Sequence, residues 1–200
     1  MSLGPILVSG GGGGAALTPA TWNSADKGAN VVLNYADLSA SMSSVIEGVR
    51  ATQGVASSKY YWEFILQSTS NACMVGVANS NASLTTWMGS NVNSWVVQLS
   101  NGTTFHNSAS SGYGSAFSQY DRGMVALNMD DGEWFMGLNG TWFNSGDPAA
   151  GTNPAHTGLS GTLFPTFSDS GSANSIEVFV LFASGLWEYA PPSGFIELSQ

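Results

Sequence analysis

The chain has 200 residues, of which 43% are hydrophobic and 12% aromatic; that apolar surface offsets the entropy of ordering the chain, which excludes wholesale disorder and suits one domain with a sizeable core. Only 8% of residues are charged, and four scattered basic residues, Lys27, Arg50, Lys59 and Arg122, stand against thirteen acidic ones for a formal charge of −9. A phosphate-tracking groove needs clustered cations and a membrane span needs about 18 apolar residues in a row, so nucleic-acid binding and membrane insertion are both excluded.

In chain order, residues 1–17 are expected to form an arm and residues 18–200 the domain. Five consecutive glycines, Gly10 to Gly14, give maximal backbone freedom and make a tether. Ahead of them lies an apolar piece containing Leu3, Pro5, Ile6, Leu7 and Val8, suited to adding itself as a strand to a partner's sheet edge. No basic n-region or long apolar h-region is present, so a secretory signal is not expected.

From Trp22 onward, short apolar or alternating runs are separated by Gly, Asn, Ser and Asp clusters, the pattern of an all-β sandwich or barrel. Strands are expected near Val31 to Leu33, Val45 to Ala51, Tyr60 to Gln67, Cys73 to Ala78, Trp95 to Leu99, Gly123 to Met129, Glu133 to Leu138, Leu163 to Phe167 and Ile176 to Phe182. In "KYYWEFILQ" the period of two puts Tyr60, Trp62, Phe64 and Leu66 on one face, the better core candidate, and Tyr61, Glu63, Ile65 and Gln67 on the other. Cys73, the single cysteine, lies in the apolar run "ACMVGVA" and is expected to be a core thiol. Asn79 to Asn93 and Ser100 to Tyr120 resist a strand reading and are expected to be long loops, a length that is often functional.

The order of motifs carries a resemblance. "GVRATQGVASSKYYWEF", "CMVGVANSNASL", "YDRGMVALNMDDGEWFMGLNG", "GLSGTLFPTFS" and "LFASGLWEYAPPSGFIEL" together resemble a SPRY domain of the kind found in bacteriophage and bacterial proteins, over about Trp22 to Leu198. The resemblance implies a concanavalin-like sandwich of two antiparallel sheets, without catalytic activity, that binds partners through edge loops. Lys59, Tyr61, Trp62 and Glu63 stand where the family's Lys-x-Tyr-Trp-Glu strand is expected. Val125, Leu127, Met129, Asn139 and Gly140 match its hairpin, and Leu163, Pro165 and Phe182 its later core strands. Leu138 and Leu181 replace residues that are commonly polar in the family, and are expected to cover another subunit.

Catalysis is not expected. The sugar-cleaving relatives of this sandwich carry Glu-x-Asp-x-x-Glu on one strand, and that string is missing here. Asp130, Asp131 and Glu133 flank Gly132 in a turn that points them apart. His106 and His156, the only histidines, have no second His or Cys at ligand spacing, so no metal or other cofactor is expected and both read as solvated loop residues. Binding is the stronger class. Trp87, Tyr113 and Trp142 lie in or beside loops rich in Asn and Ser, where an aromatic face stacks on a sugar or anchors a protein contact. Asn144 and Asp147 follow Trp142 out of the expected scaffold. Alternation also leaves Phe135 facing outward, toward a neighbour.

The expected function is a non-enzymatic bacteriophage virion component, a capsid decoration, head-fibre or tail protein. It is expected to assemble in the host cytoplasm as a homo-oligomer, to dock on other virion proteins through its arm, and to meet a host-surface glycan or protein. The alternative is a free bacterial carbohydrate-binding, lectin-like module. A glycoside hydrolase using Asp131 or Glu133 is the third reading.

Overall fold

The computed structural model describes residues 18–68, 72–171 and 175–199. The arm, 1–17, with Leu3, Pro5, Ile6, Leu7 and Val8, lies outside the described residues. Strands follow in the order β1 (Trp22–Lys27), β2 (Val32–Asn34), β3 (Ser39–Ser43), β4 (Gly48–Ala51), β5 (Lys59–Leu66), β6 (Cys73–Ala78) and β7 (Ser94–Gln98), then β8 (Thr103–His106), β9 (Ala109–Gly112), β10 (Arg122–Asn128), β11 (Glu133–Leu138), β12 (Thr141–Trp142), β13 (Phe164–Asp169) and β14 (Ser175–Leu181). They form two seven-stranded sheets, β1-β4-β13-β6-β7-β8-β9 and β12-β11-β10-β5-β14-β3-β2, every paired strand antiparallel. We call them the first and second sheet.

Period-two patterning explains how they pack. Trp62, Phe64 and Leu66 of β5, Val125 and Leu127 of β10, and Trp134 and Met136 of β11 meet Cys73, Val75 and Val77 of β6 and Phe167 of β13 between the sheets. Each such side chain contributes roughly 1.5–3 kcal/mol by leaving water. The expected core face of β5 is thus the observed one, with Tyr60 half-buried at its end.

The opposite faces are covered too. Outside the second sheet, Tyr61, Met124, Ala126 and Phe135 pack with Phe195, Trp142, Trp187 and Tyr189. Outside the first, Met74, Ala78, Ala82, Met88 and Val96 pack with Leu84, Trp87 and Phe105. Phe135 therefore faces outward as alternation requires, yet it is fully buried by the chain's own C-terminal segment; it offers nothing to a neighbour. The same correction applies to Leu181, which is buried within the domain and whose carbonyl accepts the Trp187 indole N–H at 2.8 Å. Leu138 is half-buried against the main core.

The stretch from Ser100 to Tyr120 is not all loop. Thr103–His106 and Ala109–Gly112 pair as a hairpin whose turn residues, Asn107 and Ser108, both have positive φ (51° and 60°), as a two-residue hairpin turn requires. Its small polar residues hide the strand signal. Asn79 to Asn93 is a loop as expected, and Arg50 orders it: the guanidinium pairs with both Asp26 oxygens, at 2.7 and 2.8 Å, and donates to the Ala82 carbonyl at 2.7 Å.

Candidate binding surface

Glu63, a fully buried carboxylate in β5, fixes one wall of the domain. It accepts from Tyr61 Oη at 2.8 Å, Arg122 Nη1 at 2.6 Å, and the backbone N–H groups of Glu188 and Tyr189 at 3.0 and 2.9 Å. Four donors replace the water that a buried carboxylate loses. The C-terminal segment is thereby pinned over Tyr61 and Phe135, with Trp187 meeting Tyr61 edge-on at 4.8 Å.

Beside this wall lies an open depression of about 330 Å³ lined by Ser115, Leu138, Asn139, Thr141 and Phe143. The turn after β11 shapes it. Asn139 and Gly140 have φ of 47° and 86°, and the Asn139 amide accepts from Arg122 N at 2.9 Å while donating to Asp121 Oδ1 at 2.7 Å. Tyr113 stands next to it, meeting Phe143 edge-on at 5.9 Å, with its hydroxyl donating to Asn153 O at 3.4 Å. Burial pushes the Tyr113 phenol up to about 12. Asn144, exposed at φ 54°, follows Phe143. Chemically this is an aromatic and aliphatic floor rimmed by amides and hydroxyls, a combination suited to a sugar ring or a neutral peptide.

Of the residues proposed for binding from the sequence, none lines this depression: Tyr113 packs on Phe143, which does, and Asn144 follows Phe143 in the chain. Asp147 belongs to the same loop, but its Oδ1 accepts from Ala149 N and Ala150 N at 3.0 and 3.2 Å, and its backbone pairs with Thr152. Its carboxylate orders the loop's own backbone. Trp142 is half-buried outside the second sheet, edge-on to Tyr61 at 6.3 Å. Trp87 is half-buried outside the first sheet, edge-on to Phe105 at 5.5 Å. These two tryptophans lie on opposite outer faces and do not build one site. Leu138 stood out in the sequence, but its neighbours here did not: the register of β11 and β12 sets Thr141 opposite it, and Ser115 and Phe143 join from segments whose approach the sequence does not show.

The histidines correct the expectation of solvated residues. Trp95 stacks on His106 at 4.6 Å and 7°, His106 meets His156 at 6.1 Å, and His156 stacks on Trp134 at 5.9 Å. His106 Nδ1 lies 3.0 Å from Ser94 O. The backbones of His156 and Trp134 hydrogen-bond to each other, which holds the 155–156 segment against β11. Burial, then the neighbouring His106, holds the His156 imidazole down to about 4, while the Val96 backbone pulls it the other way. Among the described residues, neither His156 Nε2 nor Trp134 Nε1 has a hydrogen-bond partner. Sequence spacing gave no sign of this pair, since the β7–β8 pairing and the 155–156 segment create it. Among the described residues, no cluster of three His, Cys, Asp or Glu side chains is arranged to hold a metal.

The carboxylates of the 130–133 turn are engaged structurally. Asp130 Oδ1 accepts from Ser58 N at 2.6 Å. Asp131 accepts from Asn128 Nδ2 at 2.7 Å and faces Lys59 Nζ at 3.5 Å; those contacts hold its carboxyl below the usual range, the Asn128 hydrogen bond first. Burial, then Asp131, pushes Glu133 up, but its Oε2 is enclosed beneath Gly151, where an added Cβ would lie 3.0 Å away. Cys73 is buried as expected, and burial raises its thiol well above the ordinary value. Among the described residues, no helix is long and apolar enough to cross a membrane.

Comparison with known proteins agrees with this architecture. The SPRY domain family model matches residues 59–182. The crystal structure of the SPRY domain of human HERC1 superposes with a TM-score of 0.68 at 17% identity, covering 80% of this chain and 96% of that one. No curated protein sequence matches the chain.

Proposed function

The chain belongs to the SPRY domain family, and from that premise we propose that it is a non-enzymatic binding domain displayed on a bacteriophage virion, as a capsid decoration or tail-associated protein held by residues 1–17. The observation that carries this reading is the distribution of charge: from Phe64 to Tyr120 the chain contains no Asp, Glu, Lys or Arg. Half of the first sheet therefore presents no Asp, Glu, Lys or Arg side chain, a surface poor in protease sites and suited to packing among repeated copies. The 130–133 carboxylates support a binding role over a hydrolytic one, because they are spent on the turn, on Lys59 and beneath Gly151.

Deleting residues 1–17 is expected to abolish incorporation into particles while leaving the circular dichroism spectrum of the domain intact. Unchanged incorporation would contradict the tether. A second reading, a free lectin-like module, is favoured by the rim of Ser115, Asn139 and Thr141 around Leu138 and Phe143. It predicts a glycan-array signal lost in Thr141→Ala and Tyr113→Ala; the virion reading accommodates that signal as host-surface attachment.

A further inference from the structure

We propose that β9 is a docking edge whose occupant is the apolar segment Leu3–Val8 of a second copy of this chain, added to the first sheet as a further strand. The inference shares with the proposed function only the premise that Leu3–Val8 is a docking segment.

β9 ends the first sheet and all four of its residues, Ala109, Ser110, Ser111 and Gly112, are exposed. Natural edge strands are blunted by charge, by proline or by a bulge. β9 has no charged residue and no proline, and its register with β8 runs unbroken. The Tyr113 N–H bonds to Gly102 O, which sets the phase of the ladder. By the alternation of antiparallel pairing, Ser110 and Gly112 then turn their N–H and C=O groups away from β8.

An apolar surface adjoins this edge outside the sheet. Phe105 stands opposite Ser110 in the register, and Ser110 is too small to cover it. Trp87 packs on Phe105. Val92, 57% exposed, is brought alongside by the bonds from Asn107 N to Asn91 O and from Ser108 N to Gly89 O, at 3.1 and 2.8 Å. In an added strand Ile6 and Val8 share one face, and that face meets Phe105 and Trp87.

Charge and reach select the occupant. Two copies that each carry −9 repel, and the uncharged stretch from Phe64 to Tyr120, which includes β9, is where they approach most easily. Residues 1–17 carry no charged side chain either. The described chain starts at Thr18, beside β1, at the opposite edge of the same sheet. Six strand spacings of about 4.8 Å separate the edges, roughly 29 Å. The ten Cα steps from Val8 to Thr18 span at most roughly 33–36 Å when fully extended, and a strand added beyond β9 lies one spacing further out, about 34 Å from β1, so a chain would have to be drawn taut to reach its own β9, whereas a neighbour's segment is free of that limit.

Sedimentation velocity of the full chain over a concentration series tests the proposal. Wild type is expected to self-associate. The Ile6→Asp/Val8→Asp double variant and Ser110→Pro, which removes an outward N–H, are each expected to weaken association at least about tenfold. Ser110→Lys serves as a second edge variant that keeps the backbone donor and is expected to weaken association in the same direction. An equimolar mixture of the segment variant and the edge variant is expected to restore a heterodimer, because one supplies the edge and the other the strand. A monomeric wild type, a segment variant that associates like wild type, or a mixture that stays monomeric would overturn the proposal. Loss of particle incorporation on deleting 1–17, with self-association of Ser110→Pro unchanged, would uphold the tether and overturn the β9 docking. Intact incorporation with the complementation result would do the reverse.

Discussion

Arg122 Nη1 lies 2.6 Å from Glu63 Oε2, and the same carboxylate accepts the backbone N–H groups of Glu188 and Tyr189. One buried charge thus joins β5, β10 and the C-terminal segment. Glu63→Ala is expected to destabilise the domain by about 2–4 kcal/mol, since it leaves the Tyr61 hydroxyl and two backbone donors without their acceptor and the Arg122 guanidinium, 18% exposed, with only the outer Glu188 carboxylate at 2.9 Å. Urea unfolding measures the loss, and a red shift of tryptophan emission would report release of Trp187. A stability within about 1 kcal/mol of wild type would mean that the segment is held by its aromatic contacts alone.

Gly76 tests the packing of the first sheet. A Cβ at this position would lie 2.0 Å from the Trp95 carbonyl oxygen, a backbone atom that cannot move without breaking the β6–β7 ladder. Gly76→Ala is expected to cost at least about 3 kcal/mol or to prevent folding. A Gly112→Ala control, where a Cβ meets nothing within 4 Å, is expected to stay within about 1 kcal/mol of wild type.

Acid sensitivity should trace to His156. Its imidazole is held at about 4 in the folded chain, against about 6.5 when unfolded. Between those values the unfolded state binds more protons, so its contribution to stability is complete above about pH 6.5 and is lost as pH falls toward 4. Asp169 and Glu133, both raised chiefly by burial, act with the opposite sign as they take up protons. His156→Gln is therefore expected to flatten the fall in melting temperature between pH 6.5 and 4. An identical pH profile in wild type and variant would place the acid sensitivity elsewhere.

Cys73 is predicted to resist thiol reagents in the folded state, because it is fully buried and its thiolate is disfavoured by burial and by Asp169. Reaction with Ellman's reagent should proceed only at the rate of unfolding and become immediate in denaturant. Rapid labelling of the native protein would show that the β6 end of the sandwich opens.

The fold was legible where side chains alternate strongly. Trp62, Phe64 and Leu66 announce a buried face by size and period alone, and the same face carries the main core. β1, β3 and the β8–β9 hairpin were not legible, because "WNSADK", "SASMS" and "ASSG" gain their strand character from neighbours that tertiary pairing supplies. The site divided in the same way. Tyr113 and Asn144 were visible as loop residues, but whether a loop aromatic faces solvent or a second apolar layer depends on what covers the sheet. Trp142 and Trp87 are taken up in those layers, and Phe135 is covered by a segment some fifty to sixty positions later in the chain. The His106–His156 pair had no sequence signal at all, since it needs the β7–β8 register and the docking of the 155–156 segment on β11 at once.

The most direct test of the account is quantitative mass spectrometry of purified phage particles assembled with either the full chain or the chain lacking residues 1–17. The account predicts stoichiometric incorporation of the first and none of the second, although both fold. Equal incorporation of the two, or absence of the full chain from particles, would contradict it.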